Sequence, residues 1–418
     1  MFRSLSTRNY RLFATGQVVS NTGTWMQRVA QDWLILELTH GSGVALGVTT
    51  GLQFLPLLLF GLWGGALADR YNKRRLLMIT QGVMGMLALL LGTLAITGNA
   101  QVWHVYLLAF GLGMATVVDN PTRQTFVVEM VGPRDLPNAI ALNSAIFNLA
   151  RVLGPAVAGV LIALIGTGPV FLVNFASFAA VLTGLYLMRP SELYVSERAV
   201  REKSRLREGL AYVGKRKDLV LLLVLVGVVA AFGMNFQMTT ALMAREVFHT
   251  GAGSFGLAST MLAVGALSGA LVAARRHGKP RLKLLIVSSL AFGILETASG
   301  LMPTYLSFLM LLVPTGLALL LFNTAANATF QLSVDPAVRG RVMGLYLLIF
   351  AGTTPLGAPI VGWLAELFGP RMSLIAGGVI SLIGSVVVGL LLARQQQLRL
   401  RPALLPYPRL RVLRASAD

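Results

Sequence analysis

Residues 43–97 read GVALGVTTGLQFLPLLLFGLWGGALADRYNKRRLLMITQGVMGMLALLLGTLAIT, two apolar runs joined by a hinge that carries Asp69, Arg70, Lys73, Arg74 and Arg75. About 20 mostly apolar residues suffice to carry a helix across a bilayer. The runs 43–67 and 76–97 therefore read as membrane spans and the charged hinge as a turn outside the lipid. The pattern repeats along the chain. Spans are expected at 12–36, 43–67, 76–97, 102–124, 139–165, 169–188, 219–244, 254–274, 284–302, 304–330, 342–366 and 372–393. This is an all-α membrane protein of twelve transmembrane helices, with little chain left for a catalytic domain outside the lipid.

Composition agrees: mean hydropathy is +0.72, and 12% of residues are charged against an ordinary ~25%. The net charge of +19 raises the question of nucleic acid, and the placement of the cations answers it. Most of the basic residues fall on alternate hinges: Arg3, Arg8 and Arg11, the 70–75 hinge, Arg134, the stretch from Arg189 to Lys217, the hinge from Arg275 to Lys283, Arg339 and Arg341, and the tail from Arg394 to Arg414. That is the positive-inside pattern, which places both termini in the cytoplasm and implies no nucleic-acid partner. The first apolar stretch is too long for a secretory signal and contains Arg28 and Asp32. The chain has no cysteine, and His40, His104, His249 and His277 are dispersed, so no metal centre is expected. Gly251-Ala-Gly253-Ser-Phe-Gly256 satisfies a dinucleotide-loop pattern without a preceding strand, and no phosphate-binding loop or nucleophile elbow occurs. Cofactors and enzymatic chemistry have no visible apparatus, so transport energy would come from an ion gradient.

The chain is an internal duplication. Gly65-Ala66-Leu67 recurs as Gly269-Ala270-Leu271, Thr125-Phe126 as Thr329-Phe330, Ile146-Phe147 as Ile349-Phe350, and Gly159 as Gly362, all at nearly one offset. Six spans plus six in the same orientation imply parallel repeats related by an axis along the membrane normal. The expected units are a bundle over 1–188, a linker over 189–218 that is either a short surface helix or a flexible strap, a second bundle over 219–393, and a basic tail over 394–418.

The hinge Gly65-Ala-Leu-Ala-Asp69-Arg70-Tyr-Asn-Lys73-Arg74 resembles the G-x-L-x-D-R-x-G-R-R signature of the major facilitator superfamily, with Asn72 in place of a glycine and Ala273 where a second-half copy would have its aspartate. Arg151-Val-Leu-Gly154-Pro155-Ala-Val-Ala-Gly159 resembles the G-P-x-x-G-G antiporter motif of that superfamily's exporters, with Ala158 in place of one glycine. The segment from Asp119 and Arg123 through Asn143, Ser144 and Arg151 resembles the branch that includes siderophore and macrolide exporters. The resemblance implies alternating access about a site at the middle of the membrane. It further implies that Asp69 approaches the amino-terminal end of span 11, where the helix dipole favours a carboxylate, while the basic residues beside it meet Asp119 or Glu129. These charges would form a cytoplasmic gate or would serve as topological anchors.

Ionisable groups inside a membrane each cost a few kcal/mol or more, so each needs a partner or a wet path. Gln17, Asn21, Thr24, Arg28 and Gln31 share one face of span 1, with Asp32 beside them. Asp32 is the leading candidate for a proton or cation site; a static Arg28–Asp32 pair is the alternative. Arg151 could hold an anionic partner or bond backbone carbonyls near Pro155. Asp119 and Arg123 read as a gate pair, and Glu296 as an isolated structural carboxyl. Asn235 and Gln237 on span 7, and Asn323, Asn327 and Gln331 on span 10, add polar groups among Phe232, Met234, Phe236 and Met238. The expected function is export of a hydrophobic or amphipathic small molecule by proton antiport, in a bacterial inner membrane and as a monomer. An importer or uniporter of a polar metabolite, or a non-transporting receptor on the same scaffold, is the alternative. The expected partners are a small-molecule substrate, protons and the lipid bilayer.

Overall fold

In the computed structural model, residues 3–194, 206–275, 282–336, 338–395, 398–403 and 409–414 are described. Among the described residues, twelve helical spans cross the molecule. They are α1 (Arg8–Leu38), α2 (Gly43–Arg70), α3 (Lys73–Ile96), α4 and α5 within the stretch Val102–Ile165, α6 (Thr167–Tyr186), α7 (Lys217–Val247), α8 (Ala252–Ala274), α9 (Leu282–Leu301), α10 (Tyr305–Ser333), α11 (Arg339–Phe368) and α12 (Pro370–Gln395). Helices are what a bilayer permits, because each satisfies its own backbone groups. Polar residues set α1 apart, and it is not among the stretches apolar enough to cross on composition alone.

Local chemistry marks the ends of the spans. Ser42 accepts from the Ala45 amide at the start of α2, and Asn72 Oδ1 accepts from the Arg75 amide at 3.0 Å at the start of α3. Gly132, with φ 69° and ψ 175°, breaks the long stretch into α4 and α5; a side chain there would be strained, and Pro133 follows it. The hinges before α2 and α8 share a further feature. His40 and His249 both take positive φ, 53° and 50°, so the duplication extends to a left-handed turn residue at equivalent hinges.

Inside the first repeat α1 packs on α4, α5 and α6, α2 packs on α4, and α3 packs on α4 and α6. In the second, α8 packs on α10, and α9 packs on α10 and α12. Gly113 of α4 lies against the Gln53 carbonyl of α2, and Gly316 of α10 lies against the Leu262 carbonyl of α8. These equivalent close approaches show the two repeats folding alike. Two seams join them, α2 to α11 and α5 to α8.

Among the described residues, the hinges rich in Arg and Lys gather at one end, called here the basic face, opposite a far face. Arg3 pairs with Asp135 at 3.0 Å on the basic face. Helix Leu206–Gly214, between the repeats, docks on the second one there: Glu208 pairs with Arg341 at 2.8 Å, and the Tyr212 hydroxyl donates to Asp335 at 3.2 Å. The linker is thus helical over those nine residues, while 195–205 lie outside the described residues. Strands β1 (Leu398–Ala403) and β2 (Arg409–Arg414) pair antiparallel, a small exception to an otherwise helical chain.

Candidate functional site

A cavity of about 380 Å³ lies between the repeats. Trp25, Arg28 and Asp32 reach it from α1, Thr50, Gln53 and Phe54 from α2, and Arg151 and Pro155 from α5. From the other repeat come Met234, Asn235, Phe236, Gln237, Met238 and Thr240 of α7, Ser259, Leu262 and Ala263 of α8, Leu319 and Asn323 of α10, and Phe350, Ala351 and Thr354 of α11. Helical spacing explains the α1 contribution, since residues three, four and seven apart share a face. The α7 contribution has a different origin. This span widens into π-helical turns at Val229–Gly233 and Met243–Val247 and is interrupted at Met234 and Asn235. The Asn235 amide donates to the Ala231 carbonyl at 2.7 Å, restoring one bond that the interruption removes. The break therefore exposes a run of consecutive α7 side chains to the cavity, where an unbroken helix would present every third or fourth.

Two cations and one carboxylate occupy this space. The Arg28 guanidinium lies 4.8 Å from the Trp25 ring and 5.8 Å from Phe54, and Arg151 lies 5.8 Å from the same Trp25 ring. Among the described residues no ion pair joins Arg28 to Asp32, and Arg151 does not bond the carbonyls near Pro155. Arg28 Nε, Asp32 Oδ2, Gln237 Nε2, Ser259 Oγ and Asn323 Oδ1 are buried without a hydrogen-bond partner. Buried polar atoms are ordinarily bonded, so their concentration around one cavity marks it as a place where a ligand's groups can be received.

Asn21 belongs elsewhere. With Gln17 it lines a second pocket of about 640 Å³ among α1, α4 and α5, toward the basic face. There Arg123 donates to Gln17 Oε1 and Asn21 Oδ1, both at 3.0 Å, and pairs with Asp119. Asp119 also accepts from Thr80 and Gln81, each at 2.8 Å. This network fastens α1, α3 and α4 together, and leaves neither partner of the Asp119–Arg123 pair uncommitted.

At the 70–75 hinge, Lys73 meets Glu129 at 2.6 Å, while Arg74 donates to the carbonyls of Leu185 and Tyr186 at 2.7 and 2.9 Å. Asp119 is reached by none of these cations, because its oxygens are engaged within the network just described. Asp69 and Arg70 are exposed at the end of α2. Side chains at Gly65, Gly340 and Gly344 would meet nothing within 4 Å, so the α2–α11 seam has no close packing at these glycines toward the basic face. Toward the far face it is tight. A methyl group at Gly43 would fall 2.6 Å from the Gly362 carbonyl oxygen, and one at Gly47 would fall 2.5 Å from that of Ala358. Glu366 of α11 completes the closure, accepting from the Ser42 hydroxyl at 2.7 Å and the Val44 amide at 3.0 Å at the start of α2.

The α5–α8 seam is built from the Gly154-Pro155…Gly159 segment. Gly154 abuts Trp25 and the Thr22 carbonyl of α1, and Gly159 abuts Gly256 of α8, where a methyl group on Gly256 would lie 2.5 Å from the Pro155 carbonyl. The motif is physically a two-sided packing surface. Ala158, which replaces one motif glycine, is fully buried.

Besides Asn21, two expected cavity residues fall outside the cavity. Asn327 does not line the cavity; it accepts from Gln331 at 2.6 Å one turn beyond Asn323, which takes the cavity position. Gln31 is buried and donates to Gln53 at 3.1 Å, so it orients a cavity residue without lining the cavity. Gln27, absent from the sequence reading, bonds Asn174 of α6. Glu296 is buried behind the α7 break, against Gly233 and Gly377, with Oε2 unpartnered. Glu366 and the wall residues Trp25, Phe54, Phe350 and Ser259 were also unforeseen, since apolar and hydroxyl residues look alike on every membrane helix.

Comparisons with known proteins agree with this architecture. Residues 1–410 match the family described as transmembrane secretion effectors. The chain is 26% identical over 357 residues to the Staphyloferrin A transporter of Staphylococcus aureus, covering 83% of this chain and 87% of that protein. It is 25% identical to the multidrug efflux pump Tap of Mycolicibacterium fortuitum, covering 94% and 97%, and 23% identical to macrolide efflux protein A of Streptococcus pyogenes, covering 90% and 94%. Among solved structures, a bacterial homolog of the human lysosomal transporter Spinster, inward-facing and occupied, superposes with a TM-score of 0.72 at 17% identity, covering 92% of this chain and 96% of that one. The nucleoside transporter NupG gives 0.72 at 12% identity, covering 92% and 99%. These structural likenesses speak to the fold alone.

Proposed function

The chain belongs to the transmembrane secretion effector family of the major facilitator superfamily, and from that premise we propose that it exports an amphipathic small molecule in exchange for protons. It is a multi-pass membrane transporter and not an enzyme. The observation that carries the proposal is the cavity between the repeats, closed by small-residue seams at the far face and lined by Arg28, Asp32 and Arg151. A site at the repeat interface is where rocking of one bundle against the other exchanges access. The basic face is then the cytoplasmic one, by the positive-inside rule, both termini are inside, and the chain works as a monomer in a bacterial inner membrane. Several relatives bear the names of efflux pumps or exporters, which supports the outward direction.

In this reading Asp32 carries the proton and the cavity carries the substrate. Asp69 and the hinge cations close the basic face by meeting the start of α11 when the far face opens. The test is uptake into everted membrane vesicles of a chemically broad panel, with and without an imposed proton gradient. The expected result is gradient-driven accumulation of at least one amphipathic compound, lost in Asp32→Asn, with downhill exchange preserved. Uphill movement by Asp32→Asn that still stops when the gradient collapses would assign the proton to another group, with Glu296 the next to neutralise.

A further inference from the structure

The cavity holds more positive charge than it can balance, and that imbalance is selective. Arg28 and Arg151 lie 4.8 and 5.8 Å from one indole, that of Trp25, and Asp32 is the single carboxylate lining the same space. Neither guanidinium has a hydrogen-bond or ion-pair partner among the described residues, and Arg28 Nε is buried with none. A guanidinium presents five donors in a fixed fork that matches a carboxylate bidentately. Between apolar walls such charges act far more strongly than in water, and unbalanced charge within a membrane is costly. A third cation entering would find two like charges and one opposite. An anion would find the reverse.

We propose that the cavity takes an amphipathic organic acid, its carboxylate held by Arg28 and Arg151 and its apolar body laid against Phe54, Phe236 and Phe350. This deepens the transport reading and rests on it, since it assumes the cavity to be the place where the transported molecule binds. The aromatic wall and a volume of about 380 Å³ fit an organic body better than a bare inorganic anion. Gln53, Asn235, Gln237 and Asn323 can serve any polar group and do not discriminate, so the two arginines set the charge class.

The test is equilibrium dialysis of the purified full-length protein in lipid nanodiscs against three probes with one skeleton: 2-naphthylacetate, its primary amide, and 2-naphthylethylamine. The acid is expected to bind at least about tenfold more tightly than the other two. Arg28→Gln and Arg151→Gln should each bring the acid about tenfold toward the amide, leaving the amide within about twofold. Arg151→Lys, which keeps the charge and loses the fork, should fall between and serves if a glutamine variant does not fold. Equal binding of the three probes, tighter binding of the amine, no binding of the acid, or an acid preference that survives both arginine substitutions would overturn the proposal while leaving the cavity as the site. Replacement of gluconate buffer by chloride should leave most acid binding in place; abolition would identify the cavity's anion as inorganic and also overturn it. Ala351→Trp fills the cavity and should weaken all three probes. If it changes none, they bind elsewhere, and the assignment of the cavity as the transport site fails instead.

Discussion

Arg28 and Arg151 both lie close to the Trp25 ring, at 4.8 and 5.8 Å, so one indole attracts two cations that would otherwise repel each other. Each cation–π contact contributes about 0.5–2 kcal/mol, more as water is excluded. Trp25→Ala should therefore lower affinity for the transported compound about tenfold, while Trp25→Phe retains most of it, as measured by binding to the purified protein. An equal loss in both variants would mean that the ring acts through its size alone. The polar half of this site was legible in the sequence, because Arg28, Asp32 and Arg151 are conspicuous in apolar surroundings. Trp25 was not, since an aromatic residue in a membrane helix carries no mark of the cation above it. Asn327 shows the converse limit: one helical turn separates it from Asn323, and periodicity alone assigns a face without fixing depth along the helix.

At the scale of elements, the far face is closed by two seams and one carboxylate. Glu366 caps the start of α2 through Ser42 and Val44, which mirrors the contact proposed for Asp69 at the start of α11 on the other face. A carboxylate at a helix amino terminus contributes about 0.3–1 kcal/mol when exposed, enough to shift a two-state balance by about threefold. Glu366→Ala should accordingly raise labelling of a cysteine placed at Gln53 by an impermeant reagent added from the far face, about threefold. A Gly256→Val variant should act in the same direction and more strongly, because its side chain collides with Pro155 and Gly159 backbone atoms that cannot rotate away. Unchanged labelling in both would show that these contacts do not hold the far face shut. The α5 glycines were readable as a motif and their seam was not, for the partner Gly256 lies in another span and resembles a loop pattern. The break in α7 was hidden for a similar reason: Asn235 and Gln237 read as polar groups on one helical face, and the first π-helical turn packs against α9, α11 and α12, all of them remote in sequence.

For the whole molecule, the spans and their duplication were plain because lipid leaves the backbone few alternatives, and the proposed orientation rests on the charge of the hinges. Cysteines at Asn99 and Gly251, both exposed, should react with an impermeant thiol reagent in intact cells, and those at Asn72 and Asp335 only after permeabilisation. The reverse pattern would invert the transporter. A stricter constraint comes from placing an acid and a proton in one cavity. Protonating Asp32 removes the negative charge nearest Arg28, so the two ligands assist each other, and by linkage each tightens the other by the same factor. Exchange therefore cannot come from simple displacement; it requires that the carrier holding both ligands be the form that does not cross. Binding of 2-naphthylacetate to the purified protein should tighten as pH falls, and the dependence should flatten in Asp32→Asn, whose affinity should match the acid-side value of the wild type. Vesicles loaded with the acid should then export it more slowly when the cytoplasmic side is acidified, although binding there is stronger. Faster export under that condition would mean that acid and proton leave together, and the transporter would be a symporter.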